Sequence, residues 1–345
     1  MKHQSPHRRY TPIQLLCQTL LVVGLLLSNL VQAATNYTFS SNGDTLPIGC
    51  SLIDAGARSY GCSALELVAG DTIALGGVTP VTITFSGTFT TGTGNLINAG
   101  KPSEDLTLIT NAAFVLGANS IMNANVVGVG TVNLASESRL SGNISTSAST
   151  GVITLEYKSR VGGDVSTQAG GINLGVRSTV DGEVSSTDGV VTLLTDVVLG
   201  GGIATTAGGI TIGDRSWLCG SVVSTGAGVV GLTNNVTVGG SVSTGSGAIN
   251  IGTGSTVGKD IISGGVTTLN GVLVKGSVIS SAAGAINAIN TSIGNNARSQ
   301  AGVITLDVSR VKGTVLSDVD IVSTASIIGD TDMLITVPTG CTAAD

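Results

Sequence analysis

GVITLEYKSRVGGDVSTQAG (Gly151–Gly170), GINLGVRSTVDGEVSSTD (Gly171–Asp188) and GVVTLLTDVVLGGGIATTAG (Gly189–Gly208) are consecutive copies of one unit. The unit continues as GITIGDRSWLCGSVVSTGA (Gly209–Ala227), GVVGLTNNVTVGGSVSTGS (Gly228–Ser246) and GAINIGTGSTVGKDIISG (Gly247–Gly264). Weaker copies run on to Asp320, and others precede at Gly130 and near Ser120. A period of roughly 19 residues is the mark of a solenoid, in which each repeat buries its apolar face only against its neighbours.

Alternation inside the unit tells inward from outward, because residues two apart on a strand share a face. Four apolar columns emerge. One holds Ile153, Ile172, Val191, Ile210, Val230 and Ile249, and the next holds Leu155, Leu174, Leu193, Ile212, Leu232 and Ile251. The third passes through Val161, Val180, Leu199, Leu218, Val238 and Val257, and the fourth through Val165, Val184, Ile203, Val222, Val242 and Ile261. Thr167, Ser186, Thr205, Ser224, Thr244 and Ser263 share a face with the fourth column and are therefore expected inside. Glycine recurs between the third and fourth columns, at Gly163, Gly182, Gly201, Gly220, Gly240, Gly276 and Gly313. It is expected to supply a bend with backbone angles that other residues resist. The expected fold is all-β, a single-stranded β-helix of about ten or eleven coils, three short strands each. With strands about 4.8 Å apart, the rod is about 50 Å long.

Composition agrees. Of 345 residues 51 are glycine and only 3% aromatic, so the large side chains of a globular core are scarce. The chain is nevertheless 41% hydrophobic, too apolar for ordinary disorder.

The first 33 residues read as an export segment. Lys2, Arg8 and Arg9 precede an apolar run from Ile13 to Val31, followed by Val31-Gln32-Ala33-Ala34 with small residues where a signal peptidase cuts. Cleavage after Ala33 is favoured over retention as an anchor, and Cys17 lies too early for a lipoprotein. The mature chain would then have no histidine, since His3 and His7 leave with the segment. Its charge would be 12 basic (15 minus three) against 21 acidic, a net of −9. An acidic, charge-poor chain argues against nucleic acid and against anionic membrane as partners. No second apolar run is long enough to span a bilayer, so a secreted, periplasmic or cell-surface location is expected.

The flanks differ from the middle. Residues 34–105 hold Tyr37, Phe39, Tyr60, Phe85 and Phe89 and are expected to form an N-terminal β cap. Residues 106–320 carry the repeats, and 321–345 lose them and are expected to close the last coil. The unit [ST]-x-V-x-G-x-V-x-[ST], seen in SRVGGDVST and STVDGEVSS, resembles the repeats of bactofilin-like, polymer-forming β-helix proteins. GDTIALGG and GTGNLINAG leading into LGANSIMNANV resemble the N-terminal part of MSHA pilus biogenesis, agglutinin-type surface proteins. The resemblance spans Gly70 to Asp320 and implies a structural or adhesin-like role, with self-association or pilus and surface proteins as partners. Bactofilins, however, are cytoplasmic polymers, whereas this chain starts with an export segment, so the resemblance leaves polymerisation open.

Candidate sites are few. Cys50 and Cys62, twelve apart in an exported chain, are expected to form a disulfide. Cys219 is expected outward, and both a bond to Cys341 and a free or intermolecular thiol stand open. Without histidine a Ser–His or Cys–His mechanism is excluded. Asp164, Glu183 and Asp260 fall on different coils and read as a solvated face, so no enzyme, cofactor or metal site is expected. The calcium-binding pattern G-G-x-G-x-D does not repeat. The outward neighbours of the fourth column turn apolar late in the chain, at Val223, Ile262, Ile279 and Leu316, a stripe suited to lateral association. An ice- or glycan-binding face is disfavoured because Thr167, Thr205 and Thr244 point inward; a carbohydrate-binding or carbohydrate-processing β-helix, with polysaccharide as its partner, is the alternative.

Overall fold

The computed structural model describes residues 33–40, 45–77, 79–147 and 151–336. Residues 1–32, nearly all of the stretch expected to act in export, lie outside them, as do Cys17 and Cys341. The chain divides after Thr35, and the solenoid is the unit from Asn36 onward.

Three ladders run along that unit, with 15, 14 and 15 strands, all parallel except for one pair at the start of the third. One coil shows why. Ile153–Leu155 lies on what we term face 1, Arg160–Val161 on face 2 and Val165–Thr167 on face 3. Each pairs in register with the strand about one repeat later, as Ile153↔Ile172, Val161↔Val180 and Val165↔Val184. Every backbone group that a strand as short as two residues leaves unpaired in its own coil therefore meets the coil above or below, which is what makes such strands viable. The four apolar columns are buried along the repeats, and so is the Thr167–Ser263 column. Those hydroxyls are not wasted. Thr205 donates to the Gly208 carbonyl at 2.6 Å and Thr244 to that of Gly247 at 2.6 Å, closing the turn from face 3 back to face 1.

Two corners explain the rest of the coil. Between faces 1 and 2 the chain turns through a single left-handed residue: Glu137, Lys158, Arg177, Asp196, Arg215 and Asn235 have φ of 55–62°, and Gly254 and Gly271 take the same place later. A buried residue follows, serine in most coils and valine at Val197, Val236 and Val272, and Ser159 and Ser178 each donate back across the turn at 2.8 Å, to the Glu156 and Gly175 carbonyls. Between faces 2 and 3 sits the glycine column of Gly163, Gly182 and Gly201, and here the sequence expectation needs correcting. None of these has positive φ. They are glycine because coils touch: a Cβ on Gly182 would lie 2.7 Å from the Gly163 carbonyl carbon, and one on Gly201 2.6 Å from the Gly182 oxygen.

The number of turns is fourteen on face 1, not ten or eleven. With strands about 4.8 Å apart, thirteen steps span about 62 Å. The extra coils come from both ends. Leu65–Leu67, Thr72–Gly76 and Val81–Phe85 already make a turn on the three faces, and Ile321–Thr324 with Ile327–Ile328 adds one at the other end. Early coils house the aromatics, with Phe85 against Phe89 at 4.9 Å and Phe89 stacked on Phe114 at 5.2 Å. Asn36–Ser40 pairs with Thr72–Gly76, and the antiparallel hairpin Cys50–Asp54/Ser59–Cys62 pairs with Val81–Phe85, covering the start of the stack. At the far end Ile321 and Ile328 continue the inward columns of Ile304 and Val311 yet are exposed, while Met333 is buried.

Candidate interaction face

Cys50 and Cys62 are bonded, directly opposite each other in the hairpin with Cα atoms 4.0 Å apart. Burial pushes the Tyr60 phenol of the same hairpin up, with the Arg58 charge opposing. Cys219 is half-buried beside the corner Gly220 and is itself disulfide-bonded, so the free-thiol alternative is set aside.

Of the acids expected on a solvated face, Asp164 and Glu183 are exposed and Asp260 is half-buried, and two of them also have a structural task. At the face 2–face 3 corner the Asp164 carboxylate accepts the Glu183 amide at 2.8 Å, and Asp260 accepts that of Ser277 at 2.7 Å. Asn143 and Asn296 do the same for Asp164 and Thr314, both at 2.8 Å. These coils thus each hand one side-chain acceptor to the next. The other charged group is at the left-handed turns. Arg215 clasps Asp196 with two hydrogen bonds of 2.7 and 3.0 Å, and Arg177 lies 3.8 Å from the same carboxylate. The Arg215 hydrogen bonds hold the Asp196 carboxyl below the usual carboxylate range against desolvation, with the charges of Arg215 and Arg177 helping. Arg160 similarly pairs with Asp181 at 3.0 Å in an open cleft of about 400 Å³ beside Arg139. Among the described residues no group of three or more His, Cys, Asp or Glu could hold a metal ion.

The apolar stripe foreseen on face 3 is interrupted. Val223, Ile262, Ile279 and Leu316 do point outward, with Leu316 55% exposed and Val223 only half-buried. In ladder order, however, Ser243 separates Val223 from Ile262, and Arg298 separates Ile279 from Leu316. A single adjacent pair, Ile262↔Ile279, remains, so the four residues do not form one continuous patch.

Face 1 carries the continuous surface. The residue before each inward Ile or Val points outward, and along the ladder Val152, Val190, Val229, Val266 and Val303 alternate with Gly171, Gly209, Ala248 and Ala285. The residue between the two inward columns is mostly Thr on the valine coils (Thr154, Thr192, Thr268, Thr305) and Asn on the small ones (Asn173, Asn250, Asn287). Past the second inward column, Glu156, Leu194, Thr233 and Asn270 alternate with Gly175, Gly213 and Gly252, until Ile289 on the Ala285 coil ends the alternation. The face is therefore corrugated, ridge and valley, with a repeat of two coils or about 9.6 Å. The valley over Asn173 and Gly175 is a cleft of about 510 Å³ between Glu156–Tyr157 and Leu194. From Gly171 to Ile289 these outward positions carry no charge; Glu156 and Asp307 bracket them.

This pattern stands in the letters VITL, GINL, VVTL, GITI, VVGL, AINI, VTTL, AINA and VITL, and the signal was the flank of the first inward column. Attention to the inward residues alone passes over it.

No protein-family model, curated protein or solved structure matches the chain. What the structure shows of the expected resemblance is a β-solenoid of stacked coils, and no match carries the bactofilin or MSHA likeness further. Among the described residues, no helix is long and apolar enough to cross a membrane.

Proposed function

We propose that this chain is an exported structural element, a β-solenoid scaffold of the periplasm or cell surface that works through its long faces and not as an enzyme. The carrying observation is face 1, where a regular, uncharged relief extends over successive coils, while the Asp164 and Asp260 carboxylates are engaged at a corner in holding coils together. A surface that repeats along a rod offers many equivalent weak contacts, which suits assembly or adhesion. The export segment at residues 1–33 and the adhesin-like repeat resemblance support the same reading.

Fractionation of bacteria expressing the full chain tests it, with N-terminal sequencing of the recovered protein. A mature end at Ala34 in the periplasmic, surface or medium fraction is expected. Cytoplasmic protein that still begins at Met1 overturns the reading.

The face 1 cleft favours one other reading, a carbohydrate-binding rod. Tyr157, 40% exposed, flanks it, and Asn173 and Thr192 offer polar groups beside an apolar floor. Glu156 is already engaged by Asn133 and Ser136, which suits binding better than hydrolysis. Polysaccharide co-sedimentation that is lost in Tyr157→Ala would favour this reading over a purely structural one.

A further inference from the structure

We propose that face 1 is a self-recognition surface on which two copies of this chain dock antiparallel, valine ridges of one seated in the glycine and alanine valleys of the other; this deepens the scaffold reading by naming the partner.

The relief is not required by the fold. Gly171 and Gly209 have ordinary negative φ, and the nearest atom to an added Cβ is a carbonyl oxygen at 3.3 and 3.2 Å. Equivalent rungs hold alanine at Ala248 and Ala285 and valine in every second coil. Since equivalent rungs carry alanine and valine, a side chain fits the stack once that oxygen gives by a few tenths of an ångström, and the alternation shows chiefly at the surface. A relief of period two coils, displaced by one coil, is its own complement. A two-fold axis along the strand direction reverses the rod and keeps each outward rank facing its own rank. Placed midway between a ridge and a valley, it seats Val229 over Gly209 and Val190 over Ala248. Parallel rods related by a two-fold along the rod axis would set ridge on ridge, so the relief selects the antiparallel pair.

Charge and area agree. The chain is net acidic, so identical surfaces generally repel, yet this strip is uncharged from Gly171 to Ile289. Val190, Val229 and Val266 are 52%, 48% and 43% exposed, so there is apolar area to bury. From Val152 to Val303, end coils with Glu156 and Asp307 included, the strip measures about 40 Å by about 13 Å, so two copies bury on the order of 1,000 Å², the lower bound for a specific interface, of which the uncharged coils between supply about three quarters.

Sedimentation velocity over a wide concentration range, on protein purified from cells expressing the full chain, tests the pairing wherever in the cell the protein resides, and so independently of export. A concentration-dependent dimer is expected. The double variant Val190→Glu/Val229→Glu should weaken it at least 100-fold, and Ile262→Glu on face 3 should leave it unchanged. The discriminating variant is Gly209→Val/Ala248→Val, which fills two valleys with the residue that the neighbouring coils already carry. Interdigitation requires at least tenfold weaker association although the surface has become more apolar. Association as tight as wild type or tighter overturns the proposal, as does a wild-type monomer at every concentration. Circular dichroism melts confirm that each variant folds.

Discussion

Replacing Gly208 and Gly209 separately by alanine sets two adjacent positions against each other. Neither has positive φ, so conformational freedom is not at issue and only packing differs. A Cβ on Gly208 would lie 2.6 Å from the Gly189 carbonyl carbon and closer still to its oxygen, both backbone atoms of the coil beneath. Ordinary contact needs about 3.5 Å, so the coils must part locally by close to an ångström. The Gly208 carbonyl also accepts the Thr205 and Ser224 hydroxyls, at 2.6 and 3.2 Å, and the shift strains both. Overpacking of this kind costs about 1–3 kcal/mol, and the weakened buried hydrogen bonds add about 1 kcal/mol. At Gly209 the nearest atom to the added Cβ, the Val229 oxygen, is 3.2 Å away, so a shift of a few tenths of an ångström suffices, and its small cost is offset by alanine restricting the unfolded chain, worth about 0.5 kcal/mol in favour of folding. In thermal melts followed by circular dichroism, about 2 °C per kcal/mol is the scale for a chain of this size. Gly208→Ala should therefore melt about 4–8 °C below wild type and Gly209→Ala within about 1 °C of it or above. Equal melting of the two variants would refute the stacked-glycine account of this turn.

Val308 is a β-branched residue held at φ 50° in the left-handed turn column, so Val308→Gly should raise stability by about 1 kcal/mol. A lower melting temperature for that variant counts against the assignment. Asp164→Ala removes the acceptor of the Glu183 amide and should cost about 1 kcal/mol and speed exchange at that amide, whereas Asp164→Asn keeps the acceptor and stays near wild type. Unchanged Glu183 exchange in Asp164→Ala would show the bond to be inconsequential. Asp196 has a folded-state pKa below its unfolded value, so its contribution is complete above the unfolded pKa of about 3.9 and is lost as pH falls through the folded one. The stability gap between wild type and Asp196→Asn should be constant from about pH 7 to 5 and narrow as pH falls below about 4; a gap that does not narrow on acidification contradicts the ion pair.

The inward half of this molecule is legible in its letters because alternation and a 19-residue step both report burial. Ile153, Leu155, Val161 and Val165 and their successors are buried along the repeats, and Thr167 through Ser263 are buried with them. The early coils were harder to see. Between Ile97 and Leu106 the chain inserts a short 3-10 turn at Ser103–Asp105, which stretches the repeat and hides the stacking of Leu96–Ile97 on Ile121–Met122. The left-handed turns escape notice for another reason: Glu137, Lys158, Arg177 and Arg215 are not residues that advertise positive φ. Their place is dictated by the ladders on either side, and local preference yields. The opposite error befell Gly163 and Gly182, whose glycine suggested unusual angles but answers to the backbone of the coil beneath. As for the interaction surface, the neighbours of the fourth column had the right polarity in isolated places, and only the ladder order shows Ser243 and Arg298 cutting across them.

The two-coil relief has a consequence for how this protein can change length. Inserting one coil would lengthen the rod by about 4.8 Å and leave interior packing intact. Beyond the insertion point, however, every crest would stand where a trough had been. Inserting two would restore the phase. Length is thus quantised in steps of roughly 38 residues, two periods, for as long as the surface matters, and in single repeats once it does not. Deleting Gly209–Gly228 alone, or together with the following repeat, turns that parity into a handle: one chain shortened in phase and one out of phase, with the same core.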